Sequence, residues 1–537
     1  MNKFLMFSAA LLFAGNTLSA QEKDLISVKK DTVPNNWHLM DTAFNGINLD
    51  KAYEFLKQKN KTSTHVIVGV VDSGIDTLHE DLKQVLWVNS NPGASGYPGD
   101  INGWNFIGGK DGRNLKTDSY EAARVYYKLK TKWDKDVDVN SLKPADVKEY
   151  ATYLRAKEKV VGDVDDAETN MLRMMVPKFM AGDSVIRKEI AKEEYNSKDL
   201  QNYNPTNMDA IMTKTLVINI SKMNNSDEIS NVQLLEEFTN ELNKAKAAGV
   251  APPNYRKEIV GDDESDINDK FYGNSDIMAN TPFHGTHCAG IIGAARNNGL
   301  GMNGIADNVS LLTVRAVPDG DEHDKDIALG IRYAVDNGAK VISMSFGKDF
   351  SPEKEWVDAA FRYAQSKDVL LVHAAGNDAK NIDTTFNYPN MNYEMGGKAY
   401  NLITVGASGN KLNGGLVASF SNYGPIQVDV FAPGVGIYST IPGGNKYGKS
   451  SGTSMACPVV AGIAALIREY YPNLSAQQVK FIIESSVVKP TALVKNPATK
   501  EMVSMSVLSK TGGIVNAYEA ILLADRMETD RLRPGFN

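Results

Sequence analysis

His65-Val66-Ile67-Val68-Gly69-Val70-Val71-Asp72-Ser73-Gly74-Ile75-Asp76 is the stretch that decides how this chain folds. From Val66 to Val71 it is an unbroken apolar run, rich in β-branched residues and of strand rather than helix length. Such runs suit strands buried on both faces of a parallel sheet. Asp72 falls where the strand ends, and in open sheets of this kind sites form outside the carboxyl ends of strands. A carboxylate there is costly unless it is hydrogen-bonded. Asp-Ser-Gly is equally ordinary turn chemistry, so the stretch alone leaves site and turn open.

Downstream of about residue 274 strand-like and helix-like segments alternate. Leu311 to Val317, Val341 to Phe346, Val369 to Val372 and Leu402 to Val405 read as short β-branched strands. Between them, Asp326 to Asn337 carries Ile327, Ile331 and Val335 on one helical face. Pro352 to Ser366 reads as a second helix, with Ser351 as its cap and Pro352 in its first turn. Strand and helix in turn predict an α/β protein whose parallel sheet carries helices on its faces.

With 537 residues, 42% of them hydrophobic, the chain can bury a large core and is expected to form more than one structural unit. Its 2 cysteines, Cys288 and Cys457, are too few for a disulfide framework and read as buried thiols. A formal net charge of -7 leaves no basic excess to neutralise phosphates, which argues against nucleic acid as a partner. Residues 1–20, MNKFLMFSAALLFAGNTLSA, read as a secretory signal with Lys3 at its positive end and small residues at Ser19-Ala20. No later run approaches the roughly 20 apolar residues of a membrane helix. The expectation is an exported protein without a membrane span, periplasmic or extracellular.

The region from about Arg113 to Ser265 differs from its surroundings: rich in Lys, Glu and Asp, poor in glycine, and helical in pattern at Lys143 to Lys159 and Val232 to Ala248. It reads as one large insertion, a solvated helical cap or, alternatively, a functional lid.

Three further pieces carry chemistry. His284-Gly285-Thr286-His287-Cys288-Ala289-Gly290 opens a tightly packed small-residue helix, and its histidines allow a general base, a metal site or buried packing. A histidine at a helix N-terminus is kept neutral, as a base requires; zinc would need ligands beyond His284, His287 and Cys288. Ser451 to Gly462 places Ser454 in the first turn of an apolar helix, where open N–H groups and the positive dipole end favour an anion; a plain Ser/Thr cap, compatible with Pro458, is the other reading. His373-Ala374-Ala375-Gly376-Asn377-Asp378 follows a strand, so Asn377 sits at another carboxyl end, as a site amide or a turn residue.

Together these pieces resemble the subtilisin-like serine proteases, whose triad runs in the order Asp, His, Ser. Asp72-Ser73-Gly74-Ile75-Asp76, His284 to Gly290, and Gly452-Thr453-Ser454-Met455-Ala456 with Pro458 are similar to the family's three motifs. The resemblance covers about residues 37–108 and 266–487. It implies a subtilisin-like three-layer α/β fold, a central mostly parallel sheet flanked by helices, here with a charged helical insertion. It implies a serine endopeptidase acting on polypeptides, with Asp72, His284 and Ser454 as catalytic residues and Asn377 at the oxyanion. Substrate would lie along Ser345, Phe346 and Gly347, with Ala374, Ala375 and Gly376 as the other wall. It also implies a structural calcium ion at Asp81, Arg296, Asn298, Leu300 and Met302, since Arg296 to Ala306 is similar to the family's calcium loop. Cys288 is similar to the free thiol beneath the histidine in the proteinase K branch.

Two departures stand out. His284 follows Asp72 by 212 residues, where familiar members have a few dozen, and residues 21–36 are too short for the usual folding-assistant propeptide. The insertion accounts for the first, and is expected either to replace the propeptide or to cover the cleft. The expected order is signal 1–20, short segment 21–36, peptidase domain 37–112, insertion 113–265, peptidase domain 266–512, and a C-terminal helix and tail 513–537. Two other readings stand beside the peptidase: a catalytically silent binding protein on the same fold, and a zinc hydrolase.

Overall fold

The computed structural model describes residues 33–41, 43–162, 166–223, 229–410 and 414–531; the signal reading of residues 1–20 lies outside them. Seven strands make the central sheet: β1 (Val66–Asp72), β2 (Gly103–Asn105), β3 (Val309–Arg315), β4 (Val341–Met344), β5 (Leu370–Ala374), β6 (Leu402–Ser408) and β7 (Val430–Pro433). Their spatial order is β2-β3-β1-β4-β5-β6-β7, and every pairing is parallel. β4, β5 and β6 are buried at every residue and β1 at all but Ile67, which is why their sequences show runs rather than alternation. A hairpin of β8 (Ile437–Ile441) and β9 (Lys446–Ser450) stands apart from this sheet.

The helices are α1 (Leu49–Gln58), α2 (Glu121–Trp133), α3 (Pro144–Lys157), α4 (Asp166–Ile190), α5 (Met208–Met223), α6 (Asn231–Gly249), α7 (Tyr255–Ile259), α8 (Phe283–Gly293), α9 (Asp324–Asp336), α10 (Lys354–Ser366), α11 (Thr453–Tyr470), α12 (Ala476–Ser485) and α13 (Ala517–Arg531). Side chains alternate across a strand, and β4 shows what that does. Ile342 and Met344 join the core formed with Ile331 of α9 and Phe361 of α10, whereas Ser343 between them meets Cys457 of α11. The helices therefore cover opposite faces, giving three layers. β1 lies at the switch point, with β3 on one side and β4 on the other, so the carboxyl ends of β1, β4 and β5 open at one rim.

The strands and helices lie where the sequence places them, with ends shifted by a few residues. One local expectation is corrected: Ser351 does not cap α10. Its hydroxyl donates to Asp324 Oδ1 at 2.9 Å, and the N–H of Glu353, the capping residue, donates to Asp324 Oδ2 at 2.9 Å. An ionised carboxylate from the start of α9 outcompetes the local hydroxyl because charge-assisted hydrogen bonds are stronger.

The described residues divide into two compact units. The smaller contains Asp166–Leu242, with a core of its own that includes Leu172, Phe179, Val217 and Phe238. The larger holds the sheet together with α2 and α3, whose Tyr126, Trp133 and Tyr153 share a core with Phe350. No helix among the described residues is long and apolar enough to cross a membrane.

His38, His287 and His373 are buried in the larger unit, and burial above all pushes their pKa values down to about 4, 3 and 4. Unfolded histidines titrate near 6.5. As pH falls from about 6.5 to about 4 the unfolded chain takes up protons that these folded histidines refuse, so their contribution to stability, complete above that window, is lost on acidification. Urea unfolding at pH 7 and pH 5 checks this: the midpoint is expected to drop more in wild type than in His373→Gln.

Candidate active site

Asp72 closes β1, buried, with Oδ1 accepting from the N–H of Ser73 at 2.7 Å and facing His284 Nδ1 at 2.7 Å. That second contact requires α8 to come very close to the turn after β1, and glycine makes the approach possible. A Cβ on Gly285 would stand 2.1 Å from the Gly74 carbonyl oxygen. The Gly285 N–H donates to Ser73 Oγ at 3.2 Å and locks the approach. Deeper in α8, a Cβ on Gly290 would meet the hydroxyls of Ser439 and Thr440 on β8, which donate to the carbonyls of His287 and Thr286 at 2.7 and 2.8 Å. The glycines of the histidine stretch are therefore packing requirements.

The two histidines have different surroundings. His284 is half-buried at the mouth of the rim. His287 is buried, with Nε2 3.3 Å from the Gly448 carbonyl, and burial, then the neighbouring His284, hold it neutral. Cys288 is buried too; desolvation and then Asp72 push its thiol well above the ordinary range. Among the described residues, the His, Cys and acidic groups near enough to share a metal ion are Asp72, His284 and Cys288, so His287 forms no zinc cluster with its neighbours.

Ser454 lies in the first turn of α11, whose capping residue Gly452 supplies no side chain. Asn377 does that work from across the rim: its Oδ1 accepts from both the N–H and the hydroxyl of Thr453 at 2.9 Å each. With the oxygen held there, the amide nitrogen is the atom beside Gly452. Thr453 Oγ1 also accepts from the Gly376 N–H at 3.0 Å, tying the two loops together.

Pro458 has a consequence four residues back. Lacking an N–H, it cannot donate to the Ser454 carbonyl as a helix residue would. That oxygen instead accepts from Ser345 Oγ at 3.0 Å and from Cys288 Sγ at 3.3 Å. The backbone of Ser454 is thus pinned from β4 and from α8 at once, while its own Oγ donates to the Ser345 carbonyl at 3.2 Å.

The expected substrate walls follow β4 and β5. Ser345, Phe346, Ala374 and Ala375 are buried, while Gly347 is exposed and Gly376 half-exposed. Phe346 turns its ring to His373, 6.2 Å between centroids, leaving backbone at the rim. Elsewhere, the loop after α8 comes to Asp81. Buried Asp81 accepts from Asn298 Nδ2 at 2.5 Å through Oδ1, and from the Met302 N–H at 3.4 Å and the Tyr447 hydroxyl at 3.0 Å through Oδ2. The Leu300 N–H donates to Asn298 Oδ1 at 3.0 Å. The Arg296 guanidinium turns aside, donating to the Gly304 carbonyl at 2.6 Å and lying 4.3 Å over the Tyr53 ring.

A model of the subtilase family matches residues 63–508. The chain belongs to that family, the subtilisin-like serine endopeptidases. It is 46% identical over 185 residues to a thermophilic serine proteinase of Bacillus sp. (strain AK1), covering 34% of this chain and 42% of that one. It is 38% identical over 259 residues to thermitase of Thermoactinomyces vulgaris, 47% of this chain and 79% of thermitase. With subtilisin DY of Bacillus licheniformis it shares 40% over 207 residues, 38% and 69% of the two chains. The chain thus spans less than half the length of the first relative and more than two thirds of the other two.

Sequence reasoning missed three groups: the Thr453 hydroxyl, Ser345 Oγ and the role of Pro458. The last was open to inference, since a proline four residues after a candidate nucleophile frees that residue's carbonyl. Gly285→Ala tests the packing. Overpacking of this kind costs about 1–3 kcal/mol; the urea midpoint should fall, and peptide turnover should fall further than the midpoint explains, because the added methyl pushes His284 from Asp72.

Proposed function

We propose that the chain is an exported serine endopeptidase that cleaves peptide bonds through Asp72, His284 and Ser454 and an acyl-enzyme. The observation that carries this is the 2.7 Å contact of His284 Nδ1 with Asp72, made at the rim where Ser454 opens α11. Asp72 holds the Nδ1 proton, so Nε2 is the basic nitrogen. It removes the Ser454 proton as Oγ attacks the substrate carbonyl, and Asp72 stabilises the imidazolium. The oxyanion lies between the Asn377 amide nitrogen and the Ser454 N–H, each such donor contributing about 3 kcal/mol to the barrier reduction. His284 then gives its proton to the departing amine, and water repeats the sequence on the ester.

Substrate would pair as an added strand along Ser345, Phe346 and Gly347, opposite Ala374, Ala375 and Gly376. The Ser345 carbonyl, to which the Ser454 hydroxyl now donates, is an acceptor the substrate backbone can claim. Arrival of substrate then frees the hydroxyl for His284. The silent-binding alternative has no use for a histidine held against a buried carboxylate beside this serine.

Domain limits follow the same reading: a peptidase domain of 37–112 and 266–512, interrupted by the helical insertion 113–265 and followed by the C-terminal segment 513–537. Export rests on the character of residues 1–20. A structural calcium ion fits the chemistry at Asp81: among the described residues no Lys or Arg pairs with this buried carboxylate, and the loop offers oxygen donors. Asp81 and the Leu300 and Met302 carbonyls would hold the ion, joined by the Asn298 amide oxygen once that amide, whose Nδ2 now donates to Asp81, turns over, with Arg296 able to offer only its carbonyl. The ion would lock the loop after α8.

Ser454→Ala is expected to abolish peptide cleavage and fluorophosphonate labelling while keeping the wild-type circular dichroism, and Asn377→Ala to lower kcat about 10²–10³-fold. Wild-type protein that is folded yet neither cleaves peptides nor takes the label decides for the binding protein. For calcium, chelation should lower the melting temperature of wild type, calcium should restore it, and Asp81→Asn should show neither response.

A further inference from the structure

The rim beyond Gly347 is built differently from the rest of the expected substrate edge. Lys348 follows Gly347 and is already paired: its N–H donates to the Tyr388 carbonyl at 3.0 Å and its carbonyl accepts from the Tyr388 N–H at 2.9 Å. Its buried ammonium lies 2.7 Å from Glu121 Oε2 at the first residue of α2, 2.9 Å from Asp324 Oδ1 at the first residue of α9, and 2.7 Å from the Glu322 carbonyl. Arg124, one turn into α2, reaches Glu121 Oε2 at 2.8 Å and the carbonyls of Asp321 and Glu322 at 3.1 and 3.3 Å. Burial alone would lower the Lys348 pKa, but Asp324 and Glu121 together hold it above its ordinary value.

Space agrees with pairing. The cavity behind this edge, lined among others by Phe346, Ile327, Lys348 and Tyr388, measures about 10 Å³, room for a water molecule and not for a side chain. Tyr388 is braced as well: the Arg155 guanidinium of α3 lies 4.2 Å over Phe350 and 3.5 Å over Phe386, two residues before Tyr388, and Lys159 pairs with Asp349 at 2.8 Å. Charges of α2, of α3 and of the turn after it thus converge on residues 348–350.

Register gives these contacts a meaning. The 3.2 Å contact of Ser454 Oγ with the Ser345 carbonyl puts the substrate residue just before the scissile bond beside Ser345. An antiparallel substrate strand then sets its second residue at Phe346 and its third at Gly347; a fourth would arrive at Lys348. We propose that Lys348, fixed by Glu121 of the inserted helix α2, ends the substrate strand, so that the enzyme reads three residues on the acyl side and none beyond. This rests on the peptidase reading above and gives the insertion a role in specificity: α2 is a fixed wall at the outer end of the cleft.

The test uses the full chain and acetylated peptide anilides carrying two to five residues before the reporter. The expected kcat/KM rises to the third residue and then changes by no more than about twofold when a fourth is added as Ala, Phe, Lys or Glu. Selectivity of about tenfold or more at the fourth position overturns the proposal and leaves the peptidase reading intact. No turnover of any peptide by folded protein overturns both. Lys348→Met with Glu121→Gln removes the ammonium and its α2 partner together; Asp324 keeps the Ser351 hydroxyl and the Glu353 N–H, and Arg124 keeps the Asp321 and Glu322 carbonyls. The variant should create selectivity at the fourth position. A folded double variant as indifferent as wild type counts against Lys348; Lys348→Met alone, which leaves Glu121 paired with Arg124, provides the same readout if the double variant does not fold.

Discussion

The approach of α8 to the turn after β1 is the contact on which the rest of this molecule depends. A carboxylate at the end of a buried strand is tolerable only with partners, and Asp72 obtains them because Gly285 lets a helix backbone sit against the Gly74 carbonyl. The same approach sets His284 in the first turn of α8, against that carboxylate. Sheet order supplies the remainder. Because β1 stands between β3 and β4 at the switch point, the ends of β4 and β5 open beside Asp72, and the loops after them carry Ser345 and Asn377.

Charge is distributed in two styles. Around His284, apart from the Asp72 carboxylate, the buried groups are neutral: His287 is held far below its usual pKa and the Cys288 thiol far above its own. Where α2 and α7 meet α9, charges are buried in pairs. Besides Lys348, Arg256 of α7 pairs with Asp326 and, at 2.9 Å, with Asp262, which Lys325 also reaches at 2.6 Å. Buried pairs add little net stability but are expensive to break. They fix where one element sits on another.

Much of this was legible in the sequence, for physical reasons. Strands covered on both faces must be apolar throughout, so β1, β3, β4, β5 and β6 were visible as runs, and glycines forced by close approach marked α8. What stayed hidden depends on distance in the chain. Nothing near Lys348 shows that Glu121, 227 residues earlier, will neutralise it, and nothing near Ser351 shows that Asp324 will take its hydroxyl and cap the next helix. The charge-rich composition of Arg113 to Ser265 suggested one solvated body. Its first two helices instead share a core with Phe350, while Asp166–Leu242 forms a compact unit of its own.

Pro458 shows how a local rule broken in the sequence becomes a tertiary device. In a helix interior proline removes one backbone bond and costs stability, and taken locally it is only tolerable near a helix start. In the folded chain the missing bond is the one that would have used the Ser454 carbonyl. Freed, that oxygen accepts from Ser345 at the end of β4 and from Cys288 on α8, so the residue bearing the proposed nucleophile is tied to the strand that would carry substrate and to the helix that carries the proposed base. A helix with an unbroken ladder would hold Ser454 only to its own axis. The loss of one hydrogen bond in α11 is what couples three elements at a single residue, and violations of this sort are expected where a fold has been adapted to a site.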